Sequence, residues 1–299
     1  MMKFYSHGKL LISGEYMVLK GTKSLALPCK KGQSLEFEPD GSKILKWESW
    51  DINHRLWFSA RIALSDFEII ETSAVETAEN LVTLLKAIRR QNKNFLRDEG
   101  GRVATRLEFD RHWGLGSSST LISNLAQWSQ TDPYTLLEAS FGGSGYDIAC
   151  ATAKGPLIYQ KDPMGPKIQI CQFDPPFKSH LYFVYLNQKK NSREAVNQFK
   201  KQKISPQQVT QSSGLTQSLI KAKSLKTFEQ ILIEHEDFIG NILGIIPVKE
   251  RLFSDFGGSV KSLGAWGGDF VLACGNPNTP EYFKNKGFPV VLGYQEIIL

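Results

Sequence analysis

Apolar and polar residues alternate along several short stretches of the N-terminal part of the chain. Residues 4–13 and 33–39 have this spacing, which is clearest in the run QSLEFEP, and residues 43–58 form further strand-like segments rich in Trp and Ile. Alternation with a period of two places successive side chains on opposite faces of a strand. The pattern therefore predicts a β-rich layer at the start of the chain.

A helical spacing replaces this alternation at residues 74–96, where charged residues separate apolar positions three and four apart: Leu81, Leu84, Leu85 and Ile88. Such spacing predicts a long amphipathic helix. The strand-like run VATRLEFD follows and leads into a cluster of glycines and serines. Residues 121–128 are again helical in pattern, and Pro133 stands where another helix would begin, with Asp132 as its predicted N-cap.

The pattern changes near residue 155. Beyond this point the strand-like runs KIQICQF and HLYFVYLN precede helical segments at residues 192–251, and further strands end the chain. We therefore predict two domains, residues 1–155 and residues 156–299.

The composition is that of a folded protein, because 299 residues with 41% hydrophobic and 22% charged side chains can bury a substantial core. Charged residues interrupt the apolar start of the chain, and no apolar run is long enough to span a bilayer, so we expect neither a signal peptide nor a membrane segment. The cysteines lack the spacing of a zinc site or a disulfide scaffold. These features predict a cytoplasmic protein with reduced, mostly buried thiols.

The net charge is a modest +6, from 36 Lys and Arg against 30 Asp and Glu. This excess would favour an anionic small-molecule ligand. The basic residues are dispersed and do not alternate with base-stacking aromatics, so nucleic acid is not an expected partner. A homodimer is left open.

The segment WGLGSSST, residues 113–120, lies between a predicted strand and a predicted helix. Glycines allow the backbone to approach a ligand closely, amides at a helix N-terminus attract anions, and the serines add hydroxyl groups. These properties are those of a phosphate-binding loop. Glycine and serine also form ordinary turns and N-caps, so the segment alone does not decide the matter.

Three further segments combine glycine with charged residues. In GGSGYDIA, residues 142–149, a glycine-rich turn presents Asp147, which could accept a proton from a hydroxyl group or serve only the turn. In GKLLISGEYMVLKG, residues 8–21, Lys9 and Glu15 lie at the two ends of a short strand and turn. The fourth segment is KSLGAWGGDF, residues 261–270.

Together and in this order, the four segments resemble the motif set of the GHMP kinases, which include galactokinase, homoserine kinase, mevalonate kinase and phosphomevalonate kinase. Gly8-Lys9 followed by Gly14-Glu15-Tyr16 is similar to the first motif of the mevalonate-pathway members. GLGSSST resembles the family's phosphate-binding Gly-Leu-Gly-Ser-Ser-Ala-Ala, and GSGYDIA resembles its Gly-Ser-Gly-x-Asp-Val-Ala. GAWGGDF resembles the Gly-Ala-Gly-Gly-Gly-Asp of phosphomevalonate kinases. Motif order, spacing and length agree over nearly the whole chain.

The resemblance implies a fold and an activity. The fold would be a two-domain α+β fold, with an N-terminal domain like that of a ribosomal protein, a ferredoxin-like C-terminal domain and the active site between them. The activity would be transfer of the γ-phosphoryl group of ATP, with Mg²⁺, to a mevalonate-pathway acceptor. Phosphomevalonate is the first expected acceptor and mevalonate the second. Homoserine or a sugar, a decarboxylase reaction, and nucleotide or metabolite binding without turnover are the alternatives.

Site roles also follow from the resemblance. Asp147 would be the catalytic base, and Lys9 would orient or stabilise the acceptor and the transferred phosphoryl group. Ser118 would bind magnesium together with Glu138, which could instead be an exposed helix residue. The ATP phosphates would be bound by Gly114, Leu115, Gly116, Ser117, Ser118 and Ser119, and the acceptor side would be formed by Glu15, Tyr16, Gly145, Gly267 and Gly268.

Three segments of the chain depart from the family pattern. Residues 111–113 are Arg-His-Trp where the family has proline and small residues, and Ser119-Thr120 replaces Ala-Ala. Trp266 stands in place of a glycine, where a bulky ring could narrow the cleft. These departures concern nucleotide geometry and acceptor size.

Overall fold

The computed structural model of this chain describes residues 1–188, 192–266 and 268–299. The strands are β1 (Met2–Leu11), β2 (Ser24–Pro39), β3 (Ile44–Trp50), β4 (Leu56–Ala63), β5 (Ile69–Thr72), β6 (Gly101–Leu107), β7 (Leu157–Gln160), β8 (Lys167–Ile170), β9 (Leu181–Tyr185), β10 (Ser259–Ser262), β11 (Phe270–Cys274) and β12 (Val291–Gly293). The helices are α1 (Val75–Gln91), α2 (Ser117–Ser129), α3 (Pro133–Ala139), α4 (Tyr146–Ala151), α5 (Ser192–Lys200), α6 (Pro206–Lys221), α7 (Leu225–Leu243), α8 (Val248–Leu252), α9 (Thr279–Asn285) and α10 (Tyr294–Ile297).

Two compact units divide the chain. The first contains Met1–Gly8, Lys31–Arg111 and Leu115–Thr152, and the second contains Lys9–Lys30, His112–Gly114 and Ala153–Leu299. Strands β1 and β2 therefore contribute residues to both units. The domain boundary near residue 155 stays a prediction.

The first unit is built on a sheet in the order β5-β4-β3-β6-β2, in which β3 and β6 run parallel and the other neighbours run antiparallel. Its buried face supplies Trp47 and Phe58 to one apolar cluster. The buried stripe of α1, represented by Leu85, and residues of α2 and α3 complete that cluster. The alternation along the strands and the helical spacing at residues 74–96 thus both serve this core.

The helix predicted at residues 74–96 is confirmed, although it ends at Gln91. The backbone leaves the helix at Asn92, and Leu96 has a positive φ of 51°. The predicted start of α3 is also confirmed: the Asp132 carboxylate accepts the amides of Tyr134 at 3.3 Å and Thr135 at 2.8 Å. This is the side-chain capping that the sequence pattern indicates.

The first part of β2 has no counterpart among the predicted strands. The run SLALPC, at the start of β2, is buried at every residue. A strand that is buried on both faces does not alternate between apolar and polar residues. Periodicity therefore detected only the half-exposed end of β2, at residues 33–39.

In the second unit, β9 to β12 form an antiparallel sheet in the order β10-β11-β9-β12. Helices connect β9 to β10 and β11 to β12, so the elements follow one another as β-α-β-β-α-β, the ferredoxin-like arrangement. Phe253, Val271 and Phe283 belong to the apolar cluster that covers one face of this sheet. The ferredoxin-like fold predicted for the C-terminal part is confirmed.

Cys29, Cys150 and Cys274 are buried and Cys171 is half-buried, so the prediction of mostly buried cysteines is confirmed. In the described ranges of the chain, no helix has both the length and the apolar character needed to cross a bilayer.

Candidate active site

The glycine and serine loop leads directly into α2. Gly114 and Gly116 both have left-handed backbone conformations, with φ of +66° and +94°, and α2 begins at Ser117. The sequence pattern predicted this helix only at residues 121–128. In the structure it begins four residues earlier, so the serines belong to its first turn. No side chain caps α2 within the described residues. The first amides of a helix have no intrahelical acceptor, so they are available to an anion such as phosphate.

The three serines of the loop have different surroundings. Ser118 is exposed and Ser117 is half-buried, whereas Ser119 is buried and its hydroxyl donates to the carbonyl oxygen of Gly116 at 2.8 Å. The side chain of Leu115 is fully buried. Ser117 and Ser118 are therefore placed to offer hydroxyl groups to a ligand, and Ser119 stabilises the start of the helix.

Lys9, on β1, contacts the beginning of the loop. Its Nζ atom donates to the carbonyl oxygen of Gly114 at 2.7 Å. Gly8 allows β1 to approach the loop closely, because a Cβ at this position would lie only 3.1 Å from the carbonyl oxygen of Leu115. The structure thus brings together a lysine and a glycine that lie 105 residues apart in the sequence.

Asp269 is a candidate site residue that the sequence analysis did not select. Its carboxylate packs against Gly114 so closely that a Cβ at Gly114 would overlap it. Asp269 itself has a φ of 53°, and its amide donates to the carbonyl oxygen of Gln188 at 2.7 Å. The Gly-Gly-Asp ending of the fourth motif was the signal that could have identified it.

Asp147 lies in the first turn of α4 and is half-buried. Gly145, with a φ of 91°, ends the preceding turn and is the N-cap of this helix. Burial raises the pKa of Tyr134 on α3, and the negative charge of Asp147 adds to that increase. The carboxylate of Asp147 is therefore close enough to Tyr134 for the two groups to interact.

The predicted magnesium ligands lie on neighbouring helices of the first unit. Helix α2, with Ser118, packs against α3 and α4, and Glu138 is exposed near the end of α3. Among the described residues, no three His, Cys, Asp or Glu side chains form a metal-binding group. Mg²⁺ generally takes one or two protein carboxylates and completes its shell with waters and substrate phosphates. An exposed hydroxyl and an exposed carboxylate fit that donor set.

Glu15 and Tyr16 are buried in the second unit. The Glu15 carboxylate accepts a hydrogen bond from Nζ of Lys261, and burial raises its pKa to about 7 against the lowering effect of that lysine. Tyr16 has a φ of 60° and packs against Phe199 with ring centroids 5.2 Å apart. Burial raises the pKa of the Tyr16 hydroxyl to about 12.

The two unusual tryptophans pack against other side chains of the second unit. Trp266 is 2% exposed and joins a cluster with Tyr16, Phe199 and Ile239. Trp113 is half-buried, and its ring meets Phe270 edge to face at 5.7 Å. The bulk of Trp266 is thus accommodated in an apolar core.

The last predicted site residues are glycines of the fourth motif. Gly268 is buried. Gly267 lies outside the residues that the structure describes. Their roles, like those of the other candidate residues, stay predictions.

No protein-family model matches the sequence, and no curated protein matches it. Solved structures do match, over nearly the entire chain, and they share one class of fold, that of the GHMP kinases. The predicted fold is therefore confirmed.

Three of these structures illustrate the similarity. Streptococcus pneumoniae phosphomevalonate kinase in complex with phosphomevalonate and AMPPNP is 18% identical, with 98% of this chain and 100% of that chain covered and a TM-score of 0.70. Methanococcus jannaschii mevalonate kinase is 16% identical, with 97% and 96% covered and a TM-score of 0.70. Lactococcus lactis galactokinase complexed with galactose is 11% identical, with 97% and 92% covered and a TM-score of 0.64.

Proposed function

We propose that this protein is a kinase that transfers the γ-phosphoryl group of ATP to a small acceptor of the mevalonate pathway, phosphomevalonate first and mevalonate second. The observation that carries the proposal is the loop at the start of α2. Two left-handed glycines lead into an uncapped helix N-terminus, whose first amides are suited to binding phosphate groups. The ammonium group of Lys9 donates to Gly114 at the start of this loop. This loop occurs in a chain with the GHMP kinase fold.

The candidate residues would have different roles in the phosphoryl transfer. The amides of Ser117, Ser118 and Ser119 would bind the ATP phosphates, and the charge of Lys9 would stabilise the transferred group. Bound Mg²⁺ would neutralise phosphate charge, with Ser118 and Glu138 as its protein ligands. Phosphoryl transfer requires mainly such positioning and charge neutralisation.

Asp147 would act on the acceptor. The acceptor hydroxyl oxygen forms a bond to the γ-phosphorus, the bond to the β,γ-bridging oxygen breaks, and ADP leaves with that electron pair. The hydroxyl proton passes to the Asp147 carboxylate. A half-buried carboxylate in the first turn of a short helix is suited to this role.

The proposal can be tested by measuring ADP release from ATP and Mg²⁺ by the purified protein. Phosphomevalonate, mevalonate, homoserine and galactose should be compared as acceptors. Turnover on phosphomevalonate or mevalonate supports the proposal, and turnover on homoserine or galactose alone would assign another acceptor. ATP binding without turnover on any of them would favour a nucleotide-binding protein.

A further inference from the structure

The second unit contains a buried group of ionisable side chains that the proposed chemistry does not use directly. Glu15 follows β1, His235 and Glu236 lie on α7, and Lys261 lies on β10. Glu15, His235 and Lys261 are 0% exposed and Glu236 is 2% exposed. Buried charges are costly unless they are paired and hydrogen-bonded, so each of these groups requires a partner.

Two members of the group have clear partners. Glu236 accepts hydrogen bonds from the amide of Ser262 at 3.0 Å, from its hydroxyl at 2.8 Å and from the amide of Val248 at 3.3 Å. Lys261 donates from Nζ to the Glu15 carboxylate and, at 2.8 Å, to the carbonyl oxygen of Ser262. These bonds tie α7 to β10 and β10 to the segment that follows β1.

His235 contacts that same segment through a different atom. Its Nε2 atom accepts the amide proton of Gly14 at 2.9 Å. An imidazole nitrogen that accepts a hydrogen bond carries no proton, so a neutral ring that accepts the Gly14 amide is protonated on Nδ1, a buried atom with no hydrogen-bond partner among the described residues. Burial and the charge of Lys261 lower the pKa of His235 well below its usual value, which agrees with a neutral ring.

The segment held by His235 has an uncommon backbone. Gly14 has a φ of +83°, and a Cβ there would overlap the side chain of Ser24. Two residues later, Tyr16 has a φ of 60° with a ψ of −45°, a conformation that is unfavourable for a residue with a side chain. Such a backbone persists only when surrounding contacts hold it, and the hydrogen bond from Gly14 to His235 is one of those contacts.

We propose that His235 is a positioning residue for the acceptor-side segment Gly14–Tyr16, which it holds by accepting the Gly14 amide proton on a neutral Nε2 atom. The inference rests on the proposed function, in which Glu15 and Tyr16 lie on the acceptor side. His235 acts through Gly14 and touches neither substrate. Loss of the acceptor atom should therefore impair acceptor binding more than ATP binding.

The neighbouring carboxylate makes this arrangement sensitive to pH. Glu15 Oε2 lies 3.6 Å from Nε2 of His235 and has no hydrogen-bond partner within the described residues. Lys261 and Glu236 are the other charged groups that face this pair. Below a pH of about 7, Glu15 becomes protonated and no longer forms an ion pair with Lys261. Its carboxyl proton can then be donated to Nε2 of His235, in competition with the amide proton of Gly14. The acceptor KM should then rise.

Two variants of His235 test the proposal. His235→Leu removes the acceptor atom, whereas the amide oxygen of His235→Gln can still accept a hydrogen bond. We expect His235→Leu to raise the acceptor KM about tenfold or more, as for loss of a buried hydrogen bond, with the ATP KM changed by less than about twofold. His235→Gln should restore most of the loss. Equal effects of both variants, or parallel changes in both KM values, would overturn the proposal.

A measurement on the wild-type protein separates this inference from the proposed function and from failure of a variant to fold. Nitrogen-15 NMR of labelled histidine should show His235 protonated on Nδ1 and unprotonated on Nε2, with His235→Gln used to assign its signals. A proton on Nε2 would refute the inference even if the kinase is active. The expected tautomer in a wild-type protein without turnover on any acceptor would leave the Gly14 contact standing and refute the acceptor role.

Discussion

Replacing Gly114 with alanine tests the geometry of the proposed nucleotide loop. Its φ of +66° disfavours any residue with a Cβ, at a cost of about 1–2 kcal/mol. In addition, that Cβ would overlap the Asp269 carboxylate, so either the loop or Asp269 must shift. A displacement of about 1 Å in a positioned site can reduce the rate about 100-fold. We therefore expect kcat/KM for ATP to fall about 100-fold.

The assay is steady-state ADP release with varied ATP, together with urea unfolding to measure the loss of stability. Gly41→Ala is the matched control, because Gly41 has a φ of +72° and open space around its Cβ position. It should lose similar stability and retain normal kinetics. If Gly114→Ala also retained normal kinetics, close approach at Gly114 would not matter for the reaction.

A second variant identifies the source of the effect. Asp269→Ala removes the carboxylate atoms that a Cβ at Gly114 would overlap. If overlap causes the defect, the double variant Gly114→Ala with Asp269→Ala should lose less kcat/KM, expressed as a free energy, than the two single variants lose together. Simple additivity of the two changes would assign the defect to backbone strain alone.

Three further predictions concern the other site residues. Asp147→Asn should reduce kcat by about 10²–10⁴-fold while ATP affinity, measured by calorimetry, stays within about twofold, because only the proton acceptor is lost; unchanged turnover would exclude Asp147 as the base. Ser118→Ala should raise the Mg²⁺ concentration needed for half-maximal rate, and an unchanged Mg²⁺ dependence would remove it from the ligand set. Glu15 has a pKa raised to about 7 in the folded protein, so its contribution to stability is present at pH 4.5 and is lost as the pH rises through 7. Relative to Glu15→Gln, the wild-type protein should lose roughly 3 kcal/mol of unfolding free energy between these pH values, and parallel urea-unfolding profiles of the two proteins would contradict this.

Local features of the sequence predicted the local structure well. Asp132 caps α3 because its carboxylate reaches amides only two and three residues away. The glycine and serine spacing indicated a helix N-terminus, and α2 begins within that cluster at Ser117. Such features depend on residues that are close in sequence, so the pattern itself contains the interacting groups.

Tertiary structure decided which distant residues meet. The contacts of Gly114 with Lys9 and Asp269, and of Gly14 with His235, join residues more than 100 positions apart. No periodicity or propensity encodes such pairs, because they depend on how separate elements pack.

Burial was the second property that only the fold determined. The family resemblance predicted that Glu15 lies on the acceptor side and that Trp266 replaces a glycine. In the structure, both side chains are almost completely buried. The charge of Glu15 is compensated by Lys261, which lies on a strand near the other end of the chain. The sequence by itself thus determined the motifs, the caps and the amphipathic elements, because these arise from neighbouring residues. Packing of those elements determined which side chains lose contact with water and which charges must be paired.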